Sequence, residues 1–216
     1  MSMAQIKSLR QRTGAGILDC KKALTEADGD LDAAIDWLRT KGIANAAKKA
    51  GRLASEGLVG SYIHANGKIG VLLEVNCETD FVALNDNFKN LVRDIAMHIA
   101  AAAPEYVSRD EIPVEISAKE KEIQLARTVE EGKPAQIAEK IVEGRMNKWF
   151  QDVCLLEQKF VKDDEKTMEQ VVQDAIATIG ENIKVRRFNR FVLGEGLEKR
   201  SSENFAAEVA AAQVGD

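Results

Sequence analysis

Two carboxylates, Glu78 and Asp80, alternate along Asn76-Cys77-Glu78-Thr79-Asp80-Phe81-Val82-Ala83-Leu84-Asn85-Asp86. On an extended chain they would face one side, where a divalent cation or an acid–base pair could be assembled. Two carboxylates without a third ligand hold such a cation poorly. Two other readings compete with a metal or catalytic site: a loop that pushes Phe81 into a partner, and a helix start in which Asp80 caps backbone N–H groups while Phe81 and Leu84 open a buried face. Elsewhere the chemistry is thin. His64 and His98 have neither metal-ligand spacing nor a Ser or Cys in nucleophile context. Gly14 and Gly16 lack the Gly-Lys-Ser/Thr that completes a phosphate loop. The residues favour a protein that acts by contact over one that acts by covalent chemistry.

Composition narrows the class. A chain of 216 residues that is 45% apolar and 30% charged buries a real core and suits one medium domain plus a small one. No stretch is long and apolar enough for a membrane span, and the start lacks the apolar centre of a signal peptide, so a cytosolic chain is expected. Cys20, Cys77 and Cys154 are odd in number and far apart, which fits reduced structural thiols and neither a disulfide framework nor a zinc site. Residues 1–55 carry 10 Lys/Arg against 6 Asp/Glu, leaving 20 against 29 in the remainder of an overall acidic chain. The basic run from Arg39 to Arg52 is interleaved with alanines rather than aromatics, so a solvated helix face or a patch for an acidic protein is favoured over nucleic acid.

The elements that would position these residues are legible from periodicity. Met3, Ile6, Leu9 and Thr13 line one side of a helix that stops at Gly14-Ala15-Gly16; Ile17, Cys20, Leu24 and Ala27 line a second; Asp30 caps a third carrying Leu31, Ala34, Ile35 and Leu38 and ending near Gly42. Three short helices make a small bundle with faces to spare for binding, followed by a helical linker over residues 43–55. Two strand-like runs then meet at Asn66-Gly67, a dipeptide suited to a two-residue hairpin turn, and the second strand delivers the 76–86 stretch at its end. Lys184 to Leu193 is a third strand that pairs with the hairpin. The helical periods between, around residues 88–103, 116–131, 137–153 and 168–179, are expected to cover this sheet, with Pro134 at a helix start. The fold class is therefore α+β: a three-helix bundle over residues 1–55 with its linker, a small antiparallel sheet of about three strands covered by helices over 56–196, and a tail at 197–216 with a short helix carrying Phe205 and Val209.

Four stretches in order, Arg12 to Arg39, Asn76 to Asp86, Gly132 to Arg145 and Ile179 to Phe191, span nearly the whole chain and resemble bacterial or organellar elongation factor Ts. The resemblance implies a guanine nucleotide exchange factor whose partner is the translational GTPase elongation factor Tu. It implies no covalent step and no cofactor, no direct nucleic-acid contact, no membrane, and residence in bacterial cytoplasm or an organellar stroma or matrix. It implies that the N-terminal bundle is ubiquitin-associated-like and docks on the GTPase through Arg12, Thr13, Gly14, Ala15 and Gly16. It further implies that Thr79, Asp80, Phe81 and Val82 dislocate the GTPase's Mg²⁺, with Phe81 entering between helices of the partner. Phe205 and Val209 would lie on a C-terminal helix that also touches the GTPase. Longer family members carry two core subdomains and a protruding coiled coil; this chain has room for one core module and shows no heptad hairpin, so a homodimer presenting the missing surface is expected. The rival class is a ubiquitin-associated-type adaptor, against which residues 57–193 argue.

Overall fold

The computed structural model describes residues 2–197, apart from the side chains of 135 and 136. The chain opens with α1 (Met3–Thr13), α2 (Ile17–Glu26) and α3 (Leu31–Lys49). Their boundaries follow from side chains that satisfy the free N–H groups at helix starts. Ser2 and Gln5 form a reciprocal capping box on α1, Gly14 ends it at φ 68°, and Asp30 accepts from the backbone N–H groups of Asp32 and Ala33 at the start of α3. Ile6, Leu9, Cys20, Ala23, Leu24 and Ala34 make the small core between them. Met3 and Ile17, expected on buried faces, are instead exposed.

The third helix does not end near Gly42. It runs on through the first half of the expected linker to Lys49, and only residues 50–55 leave the helix before β1 (Glu56–Ile63). Gly42 is buried inside α3 because α8 (Met168–Ile179) crosses there: a Cβ on Gly42 would sit 3.2 Å from that of Ala177. Close helix approach, rather than helix termination, accounts for this glycine.

Between those segments lie β2 (Ile69–Cys77), α4 (Asp80–Ala83), α5 (Asp86–Ala102), α6 (Val114–Glu130), α7 (Ala135–Val153), β3 (Lys159–Phe160) and β4 (Asp163–Thr167), and β5 (Lys184–Val192) follows α8. The main sheet is antiparallel in the order β1-β2-β5, so the late strand pairs with the hairpin as expected. The connection at Asn66-Gly67 is longer than two residues: His64 N–H reaches Ile69 O, Gly67 N–H reaches His64 O, and the left-handed conformation falls on Gly67 alone. Val71, Leu73, Val75 and Cys77 point from β2 into a core shared with Phe88, Val92, Ile95 and Ile99 of α5 and Met168, Val172 and Ile176 of α8. Each such side chain contributes roughly 1.5–3 kcal/mol by leaving water, so this cluster dominates the stability of the sheet.

Two helices expected on the sheet are elsewhere. α6 and α7 pack chiefly along each other as an antiparallel hairpin joined at residues 131–134, and α7 is anchored beside the 3-10 turn Leu155–Glu157. The sequence shows no heptad hairpin, yet the structure does have this helical one. At its base Arg109 pairs with Glu157 and stacks over Phe150, while Ile112, Val153 and Cys154 form a separate small core. Arg145 of α7 pairs with Glu131 at 2.7 Å near the other end. Val114, Ile123, Leu125 and Val129 stay exposed along α6, because no sheet covers them. The short β3–β4 hairpin was not anticipated; its five-residue second strand, Asp-Asp-Glu-Lys-Thr, has no apolar alternation to betray it. Among the described residues no helix is long and apolar enough to cross a membrane.

Candidate functional site

The β2 strand ends at Cys77, whose thiol lies 3.2 Å from Thr79 O, and the chain turns at once into the single helical turn α4. Thr79, not Asp80, is the cap: its hydroxyl oxygen accepts from Val82 N–H at 3.4 Å. Val82 and Ala83 face the core, and Asp80, Phe81 and Leu84 face out. Phe81 is 80% exposed and Leu84 67%, so the reading of Phe81 as the first residue of a buried face is overturned. With four residues, α4 has too few turns to bury both halves of its apolar set, and the core takes the half that is closer.

Such a short helix does not hold itself together. Glu181, at the start of the α8–β5 connection, fixes it from across the chain. One of its carboxylate oxygens accepts from Glu78 N–H and Thr79 N–H, each at 3.0 Å, and the other from the Thr79 hydroxyl at 2.7 Å. Glu78 reciprocates: its carboxylate accepts from Asn182 N–H at 2.6 Å and pairs with Arg52 at 3.5 Å. Glu78 therefore faces inward on these partners while Asp80 is exposed, and the two carboxylates do not share a cation site. Among the described residues no cluster of His, Cys, Asp and Glu is arranged to hold a metal. Sequence reasoning missed Glu181 and Asn182 as members of this site. Both fall inside the Ile179 to Phe191 motif, immediately after the helix-ending Gly180 at φ 93°, but nothing in that motif says what they touch.

The segment Arg12 to Gly16 forms the α1–α2 corner. Arg12 pairs with Asp32 at 3.1 Å; the Thr13 hydroxyl donates to Leu9 O at 2.7 Å and accepts from Ala15 N–H at 3.3 Å; Ala15 packs on the helical core. Arg12, Thr13, Ala15 and Gly16 line a crevice of about 360 Å³ whose opposite wall includes Asp174 and Thr178 of α8. Beyond the corner, Ile17 and Leu18 are 53% and 81% exposed, an apolar pair that helical spacing cannot bury together on one core face. The corner and the Phe81 turn share a neighbour, the C-terminal end of α8, where Thr178 approaches Gly14 and Glu181 holds Thr79. Phe205 and Val209 lie outside the described residues.

Charge and protonation follow the same geometry. On the outward face of the sheet Arg186 and Arg187 both bond Glu74 and hold its carboxyl down at about 2. His98 is fully buried; its Nε2 lies 3.0 Å from the Gln158 side-chain oxygen and its Nδ1 accepts from Val161 N–H, and burial lowers its pKa. All three cysteines are buried, and burial pushes their thiols up, that of Cys154 to about 11, which keeps them protonated and unreactive.

A family model described as elongation factor TS matches residues 44–195. The chain is similar to elongation factor Ts of Geobacter sulfurreducens, 64% identical over 98% of each chain, and to that of Geobacter metallireducens, 62% identical over the same shares. It is also similar to elongation factor Ts of Acetivibrio thermocellus, 59% identical over 94% of each chain. A family model that matches most of the chain, and relatives aligned with it over nearly its full length, show that it belongs to the elongation factor Ts family.

Proposed function

We propose that this protein is a guanine nucleotide exchange factor of translation elongation, acting on elongation factor Tu in the cytoplasm without a cofactor and without direct contact with nucleic acid or membrane. The observation that carries the reading is Phe81: a large aromatic 80% exposed on a turn whose backbone is held by the half-buried carboxylate of Glu181. An exposed aromatic on a preorganised support is the arrangement expected of a binding anchor. Phe81 enters between helices of the GTPase near its nucleotide pocket, and Asp80 engages the structure that orders Mg²⁺; Thr79 and Val82 hold the turn. Arg12 to Gly16 dock the N-terminal bundle on the GTPase domain, and Phe205 and Val209 supply a further contact.

The mechanism is linkage. A factor that binds the nucleotide-free GTPase better than the GDP form must weaken GDP by the same factor. Weakening GDP about a thousandfold requires a preference of roughly 4 kcal/mol. One buried phenylalanine and the loss of Mg²⁺ coordination are of that order. Direction comes from cellular GTP, since the factor weakens GTP by the same device.

The domain division over 1–55, 56–196 and 197–216 is part of this proposal, as is a homodimer. The outward sheet face carries exposed Val59, Ile63, Leu72 and Phe191, a set able to seat a second copy of the same face about a two-fold axis.

Stopped-flow release of a fluorescent GDP from elongation factor Tu, across Mg²⁺ concentrations, tests the reading. The wild-type chain is expected to accelerate release, and Phe81→Ala and Asp80→Ala to lose most of that acceleration while remaining folded. No acceleration by the wild type would refute the function.

A further inference from the structure

We infer that Glu181 is a positioning residue for nucleotide exchange, acting through the Thr79-capped turn that carries Asp80 and Phe81; the inference rests on the exchange reading of that turn. Two observations lead to it. The turn is a single helical turn with no stability of its own, and its outer side chains, Asp80, Phe81 and Leu84, are exposed, so half of its possible packing is absent. Both oxygens of Glu181 are committed to it, accepting from Glu78 N–H, Thr79 N–H and the Thr79 hydroxyl, across 102 residues of sequence in the last case. A carboxylate that accepts several N–H and O–H bonds is among the stronger neutral-to-charge arrangements available to a backbone.

The clamp is also reciprocal. Glu78 accepts from Asn182 N–H, and the buried Asn182 side-chain amide donates to Ala50 O and Arg52 O, where the chain leaves α3. The turn, the start of the α8–β5 connection and the exit from α3 are therefore one hydrogen-bonded knot. Binding energy from Phe81 is realised in full only if the turn does not have to be ordered on docking, because ordering backbone at an interface is subtracted from affinity. Removing the Glu181 carboxylate frees the two N–H groups and the hydroxyl that it holds, and the turn then pays that cost at each encounter.

The test uses the full chain and elongation factor Tu loaded with fluorescent GDP, with four variants: Phe81→Ala, Glu181→Ala, the double variant, and Glu181→Gln. Hydrogen bonds to a charged acceptor set the expected scale, so Glu181→Ala should lower the exchange rate about tenfold or more. In the Phe81→Ala background the same change should have little further effect, because the residue acts through the turn. Glu181→Gln keeps the side chain's length but offers one acceptor oxygen, and should fall between wild type and alanine. It also carries the comparison if the alanine variant is unfolded at the assay temperature, which thermal melting decides. Glu181→Ala and Glu181→Gln exchanging as wild type, or effects that multiply fully with Phe81→Ala, would overturn the positioning role and leave the exchange reading standing. Phe81→Ala exchanging at full rate would instead overturn the reading of the turn itself.

Discussion

Replacing Phe81 and, separately, Phe88 by alanine makes one chemical change in two neighbouring elements, with opposite consequences expected. Phe88 is fully buried in the main core, and Phe81 is 80% exposed. Truncating a buried phenylalanine removes its transfer energy and leaves a cavity, together about 3–5 kcal/mol. At Phe81 only the buried fifth of the ring counts, and a fifth of the roughly 1.5–3 kcal/mol for full burial is about 0.5 kcal/mol. The smaller side chain also suits a helical turn slightly better, which trims the loss further. Urea unfolding followed by circular dichroism resolves the difference: the Phe88→Ala midpoint should fall steeply at unchanged slope, while Phe81→Ala should unfold almost with the wild type. Exchange activity should show the reverse order, with folded Phe88→Ala retaining activity that Phe81→Ala has lost. A loss of 2 kcal/mol or more for Phe81→Ala would mean that this ring is part of the core in solution, and the anchor argument would fall with it.

Two further outcomes follow from the same geometry. His98 is held neutral, with its pKa below the usual 6.5, so as pH falls through 6.5 the unfolded chain takes up a proton that the folded chain refuses. Stability should be level above about pH 7 and decline below it through that window, and a His98→Gln variant followed by thermal melting should lack this slope; an unchanged slope would assign the effect to other groups. Gly57 sits at φ 141° with the Val75 carbonyl oxygen where a Cβ would go, so Gly57→Ala should lower the melting temperature sharply, whereas Gly67→Ala, in open space at φ 69°, should cost only about 1 kcal/mol.

Much of this architecture was legible because it is local. Asp30 as a cap, Gly14 as a helix stop, the apolar alternation of β2 and the 3.6-residue period of α5 each depend on residues within a turn or two of one another. The run from Lys184 to Leu193 was also readable as a strand able to join the hairpin, and the structure pairs it with β2. The family was readable as well, because its motifs are long and span the chain. The proposed function rests on that family.

What the sequence by itself determined, then, was which residues are apolar together and where locally signalled boundaries fall, such as the Gly14 stop of α1 and the Asp30 cap of α3. Which apolar faces meet was decided by the tertiary structure. Periodicity marks the apolar stripe of α6 but cannot say that α7 rather than the sheet lies beside it. The pattern at Gly42 is the same for a helix end as for a helix crossing, and only the approach of Ala177 separates the two. At the 76–86 stretch the sequence left Phe81 equally able to start a core or to leave one. The fold chose by turning Val82 and Ala83 inward, and by bringing Glu181, 102 residues away from Thr79, to hold the turn in that orientation. Contacts of that separation carry no local signature, because chain connectivity constrains neither their distance nor their direction until the core has formed.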